Sequence, residues 1–331
     1  MSKKPIFKQF LFILALFAGA IAAYLNLQAD KIIYYKYGKA YWQHSQAIVC
    51  DDYRKGYFQD LRPGASAQAV LDLSCEQALT LAAESRFATS SDGLKIHYKV
   101  FTAPTDLPIL LHVSGITSTW LNGARYVKAS ERMGFQLMSL EMRNHGLSQN
   151  NAQGVAYGCK EKSDVLAVLA DIQKTYPARP ILLWGSSGGS MSILNAAAAH
   201  DPAFASVKAL MIESPSSSLR DVAESKSPGL PGFLYDTVIA LASWRTGNPL
   251  MACAATAQAR HISLPTRVIG AEKDTLTPPW MAQKVYQALP KQLAQLTIYP
   301  HGKHEAVWNG QPESYEADVK RFWQTAFYAQ K

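Results

Sequence analysis

Charge is scarce in this 331-residue chain: Asp, Glu, Lys and Arg make up 18% of it, and no basic run exceeds the pair Lys3-Lys4. The net charge of +8 is therefore spread thinly as solvated surface, and no nucleic-acid partner is expected. Cysteine is limited to four residues, none in a C-x-x-C or Cys/His pattern, so no metal is expected. No G-K-[ST] follows a glycine-rich turn, which argues against a nucleotide-cradling loop. Internal repeats and low-complexity tracts are also missing, so a solenoid or a disordered chain is not expected. What is present is apolar: 48% of the residues, enough to bury a sizeable core.

One stretch lacks charge altogether. Gln9–Ala29 follows Lys3, Lys4 and Lys8, and within it Phe10–Leu25 is apolar apart from the Tyr24 hydroxyl. As a helix these residues rise about 31 Å, the thickness of a bilayer's hydrocarbon. A soluble helix would show a polar face, and this one has none. Residues 1–30 are therefore read as a retained single-pass anchor, with a cleaved signal as the alternative, since Ala18, Gly19, Ala20 and Ala22 resemble a cleavage site. Orientation is weakly specified, because Lys31, Lys36 and Lys39 balance the lysines ahead of the span. Either reading sends the remainder to the extracytoplasmic side. There Cys50 and Cys75, which flank one polar segment, are candidates to pair; each cysteine otherwise reads as a small buried hydrophobe.

Residues 31–86 read as a helical juxtamembrane segment, with helix-like patches at Ile32–Ile48 and Ala67–Ala83 separated by the turn-rich Arg62-Pro63-Gly64 region. From about 87 to 331, β-rich runs alternate with helical stretches. The runs are Ile96–Phe101, Ile109–Val113, Gln136–Leu140, Ile181–Trp184, Ala209–Ile212, Thr266–Ile269 and Leu296–Tyr299. Helices are expected at Ser163–Thr175, Met191–Ala199 and Trp280–Leu289. The alternation predicts an α/β fold with a mostly parallel sheet.

The sharpest motif is Gly185-Ser186-Ser187-Gly188-Gly189, a G-x-S-x-G between the apolar run Ile181–Trp184 and an Ala-rich helix. A strained strand-to-helix turn of this kind presents its central serine as a nucleophile. The glycines leave room for neighbouring backbone, and the helix N-terminus favours negative charge beside the serine. Such a serine needs an acid and then a histidine further along the chain. Asp274, with Glu272 as the alternative, follows the Thr266–Ile269 run, and His301 and His304 follow Leu296–Tyr299.

These residues, with Ser91–Leu94, Ser114-Gly115 and Arg143–Ser148, resemble the α/β-hydrolases. The resemblance is strongest to the branch holding monoacylglycerol lipases, lysophospholipases and serine aminopeptidases, and it covers about residues 87–328. It implies Ser187 as nucleophile, Asp274 as orienting acid and His304 as base, with the backbone N–H groups of Gly188 and Ile116 forming the oxyanion hole. It also implies that His145 is a bracing residue. Two departures from the family pattern stand at Ser114-Gly115, usually His-Gly, and at Glu141-Met142-Arg143-Asn144-His145-Gly146, usually D-x-R-G-H-G. His112, inside a strand, reads as a core histidine.

Family members place a cap between the sixth strand and the Asp loop, here about 216–263. Its run Phe233–Trp244 is expected to form a greasy lid, with Phe233 and Trp244 contacting substrate. The resemblance thus implies a membrane-tethered serine hydrolase acting on carboxylic esters of lipid or other acyl substrates. Neither a cofactor nor an obligate protein partner is expected. Two rivals remain: an aminopeptidase using Glu213 to bind a substrate amine, and a binding protein with a vestigial site.

Overall fold

The computed structural model describes residues 4–34, 50, 56–104 and 106–328. Its strands are β1 (Ala83–Thr89), β2 (Lys95–Phe101), β3 (Ile109–Val113), β4 (Gln136–Leu140), β5 (Ile181–Ser186), β6 (Val207–Glu213), β7 (Thr266–Ala271) and β8 (Ala294–Tyr299). Its helices are α1 (Lys4–Ile33), α2 (Cys75–Leu79), α3 (Trp120–Ala124), α4 (Val127–Met133), α5 (Lys162–Thr175), α6 (Gly188–Ala197), α7 (Leu219–Lys226), α8 (Gly232–Thr246), α9 (Ala255–Ala259), α10 (Pro279–Ala288) and α11 (Pro312–Tyr328).

All eight strands join one sheet in the order β1-β2-β4-β3-β5-β6-β7-β8. Strands β3 to β8 run parallel, and β1 and β2 add an antiparallel hairpin at the edge. The central strands β3 and β5 are buried along their whole length. That matches their unbroken apolar runs, since a parallel sheet is covered on both faces. The period-two side-chain alternation divides them between two cores. Ile109, Leu111, Ile181 and Leu183 face the core with α5, α6 and α10, while Leu110, Leu182 and Trp184 face the core with α3, α4 and α11.

The order reverses at β3: the chain steps outward to β4, then returns to the other side of β3 as β5. Diverging connections leave a crevice above such a switch point, at the carboxyl ends of the strands. The loops after β3 and β5 carry Ser114–Ile116 and Ser187.

Three differences from the sequence reading have physical causes. Strand β1 was not expected, because Glu84, Ser85 and Arg86 look like a polar linker; at a sheet edge such residues face solvent and discourage further pairing. The expected helix over Ala67–Ala83 is also absent. Those residues instead form a strap, with a bridge from Gln59 to Val70, the five-residue α2 capped by Ser74, and then β1. Phe58, Leu71, Leu73, Cys75 and Ala78 join the α11-side core, so residues 56–82 pack on the eight-stranded sheet rather than forming a helical juxtamembrane segment. Apolar residues this close together suit a strap as well as a helix, and tertiary packing decides between them. The Ile32–Ile48 patch lies outside the described residues beyond Tyr34.

Two disulfides close the chain, Cys50–Cys75 and Cys159–Cys253. The second was not anticipated, since its cysteines stand 94 residues apart. Both cysteines lie in a small third core, where Ala29 and Ile33 at the end of α1 meet Ile239 and Ala242 of α8. Arg245 of α8 pairs with Asp30 at 2.6 Å and donates to the Asn26 carbonyl, while Val155 N–H and the Tyr157 hydroxyl donate to the carbonyls of Ile33 and Ile32.

Candidate active site

Ser187 ends β5 and opens α6 with φ 50° and ψ −115°, a backbone conformation a non-glycine residue adopts only under constraint. The constraint is visible: Ser187 N–H donates to the Glu213 carbonyl at 2.9 Å, and the Ser190 hydroxyl spans the Gly185 and Glu213 carbonyls. The flanking glycines are needed for space. A Cβ on Gly185 would lie 2.6 Å from Ser190 N, and one on Gly189 would overlap the Val113 carbonyl of β3.

The histidine loop after β8 brings His304, not His301, to the serine. His304 Nε2 lies 2.9 Å from Ser187 Oγ, and its Nδ1 lies 2.8 Å from Asp274 Oδ2. His301 is tied through its backbone to the Gln311 amide. Of the two acid candidates, Asp274 is buried and Glu272 is exposed. The Asp274 carboxylate also accepts from the N–H groups of Leu276 and Thr277 and from the Thr277 hydroxyl, at 2.8–2.9 Å.

Burial alone would raise the Asp274 pKa. The His304 hydrogen bond and charge, with the Thr277 donors, outweigh it and hold the carboxyl below the usual range. Burial alone would likewise lower His304, but the hydrogen bond and charge of Asp274 push it above the ordinary histidine value. This arrangement keeps the carboxylate ionised and makes the imidazole a better proton acceptor.

Gly188 and Ile116 face one another beside Ser187: a Cβ on Gly188 would stand 3.1 Å from the Ile116 nitrogen. The Ile116 loop is braced by His145, whose Nε2 accepts the Thr117 N–H at 3.0 Å while Nδ1 contacts the Arg143 carbonyl at 2.8 Å. A donor at Thr117 assigns the proton to Nδ1. His112 is wholly buried beside Ser186 and Trp184, and burial pushes its pKa down to about 3, consistent with a neutral core residue.

The two departures from the family pattern have local roles. Ser114 Oγ donates to the Thr119 carbonyl, and Glu141 accepts the Trp120 and Leu147 N–H groups while meeting His97 Nδ1 at 2.8 Å. Glu213 does not offer an acid to a substrate amine: it is fully buried and accepts the Tyr315 hydroxyl at 2.5 Å.

Helix α8 forms, with Phe233 and Trp244 65% and 80% exposed. The buried face is Tyr235, Ile239 and Ala242, which packs in part against the end of α1. Apolar residues surround this helix, so its sequence does not mark which stripe will be covered.

Thr277, Glu305 and Tyr57 were missed by the sequence reading. Thr277 had a signal, since an Asp three residues ahead commonly turns back onto the intervening N–H groups. Glu305 and Tyr57 had none, because a glutamate in a polar loop reads as surface.

A parallel sheet with a strained serine elbow at its switch point is the α/β-hydrolase arrangement. Comparison with known proteins agrees. Residues 108–250 match the family described as alpha/beta hydrolase fold. Lysophosphatidylserine lipase ABHD12 of Danio rerio is 25% identical over 191 residues, covering 54% of this chain and 46% of that relative. The chain thus spans about half the length of that protein. Among solved structures, the Pyrococcus furiosus esterase Pf2001 superposes with a TM-score of 0.60 at 18% identity, over 81% of this chain and 99% of its own. Esterase RhEst1 from Rhodococcus sp. ECU1013 gives 0.54 at 17%, over 73% and 99%. The chain has the α/β-hydrolase fold, and residues 108–250 carry the match to that family.

Proposed function

We propose that this protein is a membrane-tethered serine hydrolase that cleaves carboxylic esters of lipid or other acyl substrates. The observation that carries the reading is the continuous chain Ser187 Oγ, His304, Asp274, at 2.9 and 2.8 Å, above the switch point of the sheet. Ser187 attacks the ester carbonyl while His304 Nε2 takes its proton. Asp274 holds the imidazole in the tautomer with the proton on Nδ1 and stabilises the imidazolium. The Gly188 and Ile116 N–H groups receive the oxyanion. His304 then protonates the leaving alcohol, and a water activated by the same histidine hydrolyses the acyl-enzyme.

Tethering is supported by α1, whose Lys8–Ile33 stretch is long and apolar enough to cross a bilayer. Two disulfides favour an oxidising, extracytoplasmic location for the hydrolase. The ion pair between Asp30 and Arg245 would hold α8 at the membrane surface, with exposed Trp244 beside it at the depth where aromatic side chains prefer to sit. The lipase named among the relatives and the esterase neighbours fit an acyl substrate.

The test is labelling of the full chain by a fluorophosphonate probe, with turnover of p-nitrophenyl esters and lysophospholipids. The wild type should label and turn over, and Ser187→Ala should do neither. A Ser187→Ala protein with near wild-type turnover refutes the reading.

A further inference from the structure

Glu305 follows His304 directly, yet its carboxyl is only 2% exposed and takes no part in the triad. Its backbone has φ 54°, and its side chain is buried in the protein. Oε2 accepts the Tyr57 hydroxyl at 2.8 Å, and Oε1 has no hydrogen-bond partner among the described residues. That oxygen occupies the space beside Gly115, where any Cβ would overlap it. Tyr57 belongs to the strap that Cys75 anchors to Cys50. Its ring lies 5.1 Å from the Arg125 guanidinium, which donates to the Tyr57 and Glu305 carbonyls.

The loop after β3 is therefore gripped from two sides, by His145 at Thr117 and by Glu305 at Gly115. The second contact leaves no room for a Cβ at 115 unless the Glu305 carboxyl moves. We propose that Glu305 is a positioning residue for ester hydrolysis: wedged against Gly115 and held by the Tyr57 hydroxyl, it sets the Ser114–Ile116 loop so that the Ile116 N–H meets the oxyanion. This rests on the Ser187 reading above.

The charged and titratable groups facing this carboxyl include Tyr57, Arg125, His304, Asp274 and Glu213. Burial raises its pKa, the largest influence, while the charge of His304, the Tyr57 hydrogen bond and Arg125 act in the opposite direction. A wedge acts through shape and hydrogen bonding, so it should tolerate loss of the charge.

The experiment measures kcat, KM and pH profile on a p-nitrophenyl ester for the full chain and its variants. Removing one oxyanion donor outright costs roughly a hundredfold or more, so a displaced donor in Glu305→Ala should lower kcat by about 10- to 100-fold. KM should stay within about twofold, because the lost interaction belongs to the transition state. Glu305→Gln, which keeps the shape and an acceptor for Tyr57, should bring kcat back to within about threefold of wild type with the acid limb unmoved. Tyr57→Phe should lower kcat by about 3- to 10-fold, again at constant KM.

Wild-type kcat in Glu305→Ala, with Ser187→Ala inactive, overturns the positioning role and leaves the hydrolase reading standing. A Glu305→Gln variant as impaired as Glu305→Ala, with its acid limb displaced, overturns it in favour of a charge acting on His304. If Glu305→Ala does not fold, Tyr57→Phe decides, and an unchanged kcat there overturns the proposal. Full activity in Ser187→Ala would remove both readings together.

Discussion

The two disulfides should differ in what they contribute, and their loop lengths give the sizes. Cys159–Cys253 closes 94 residues and Cys50–Cys75 closes 25. If a cross-link acts mainly by restricting the unfolded chain, these loops correspond to about 4.7 and about 3.5 kcal/mol at 25 °C. For a domain of this size each kcal/mol moves Tm by about 2 °C, giving losses of roughly 9 and 7 °C. Packing adds to the first figure. Cys159 and Cys253 are both buried in the small core between α1 and α8, so paired alanines there remove buried atoms as well as the bond. The bridge also ties the loop ahead of α5 to the segment between α8 and α9, so hydrogen exchange at the end of α8 should rise when it is gone. The assay is calorimetry of the detergent-solubilised chain, comparing Cys159→Ala/Cys253→Ala with Cys50→Ala/Cys75→Ala. The reasoning fails if the 94-residue pair costs less than the 25-residue pair, or if its variant melts within about 2 °C of wild type. Peptide mapping without reductant that finds all four thiols free would remove its premise.

The proposed triad sets a pH sign. His304 must be neutral to take the serine proton, and Asp274 raises its pKa, so kcat/KM should climb with pH through a limb above the ordinary histidine value of 6.5. A limb below that value would contradict the geometry. Asp274→Asn should lower kcat by about four orders of magnitude with Tm little changed, since it disturbs the imidazole tautomer more than the packing; steady-state kinetics beside a melting curve would check both halves. Gly189→Ala should destabilise by about 2–4 kcal/mol in denaturant titration, because its Cβ has to displace the Val113 carbonyl. Trp244→Ser, at an exposed position, should change stability by less than about 0.5 kcal/mol. The same variant should slow turnover of vesicle-borne lipid more than of a soluble ester, and equal effects on the two would dismiss Trp244 as a membrane contact.

The strands and the elbow were legible because their local chemistry points one way. Ile109–Val113 matched its strand end to end, and Ile181–Trp184 proved to be the first four residues of β5. A parallel strand covered on both faces buries such runs entirely. Gly185-Ser186-Ser187-Gly188-Gly189 needs its glycines because backbone from β3 and α6 presses on it. The acid and histidine loops were legible because each follows an apolar run and the superfamily's chain order narrows the choice.

The sequence by itself thus determined the α/β class, the strand-to-helix turn that carries Ser187, and the apolar span at the N-terminus, all of which depend on residues adjacent in the chain. Tertiary structure decided the rest. It set His304 Nε2 at 2.9 Å from Ser187 Oγ, exposed Phe233 and Trp244 by packing the opposite stripe of α8, and joined Cys159 to Cys253 across 94 residues. It also turned Glu305, a charged residue in a polar loop, into a buried wedge against Gly115, held by Tyr57 from 248 residues away. Such pairings depend on which surfaces meet after the sheet has formed, and no local pattern records that meeting.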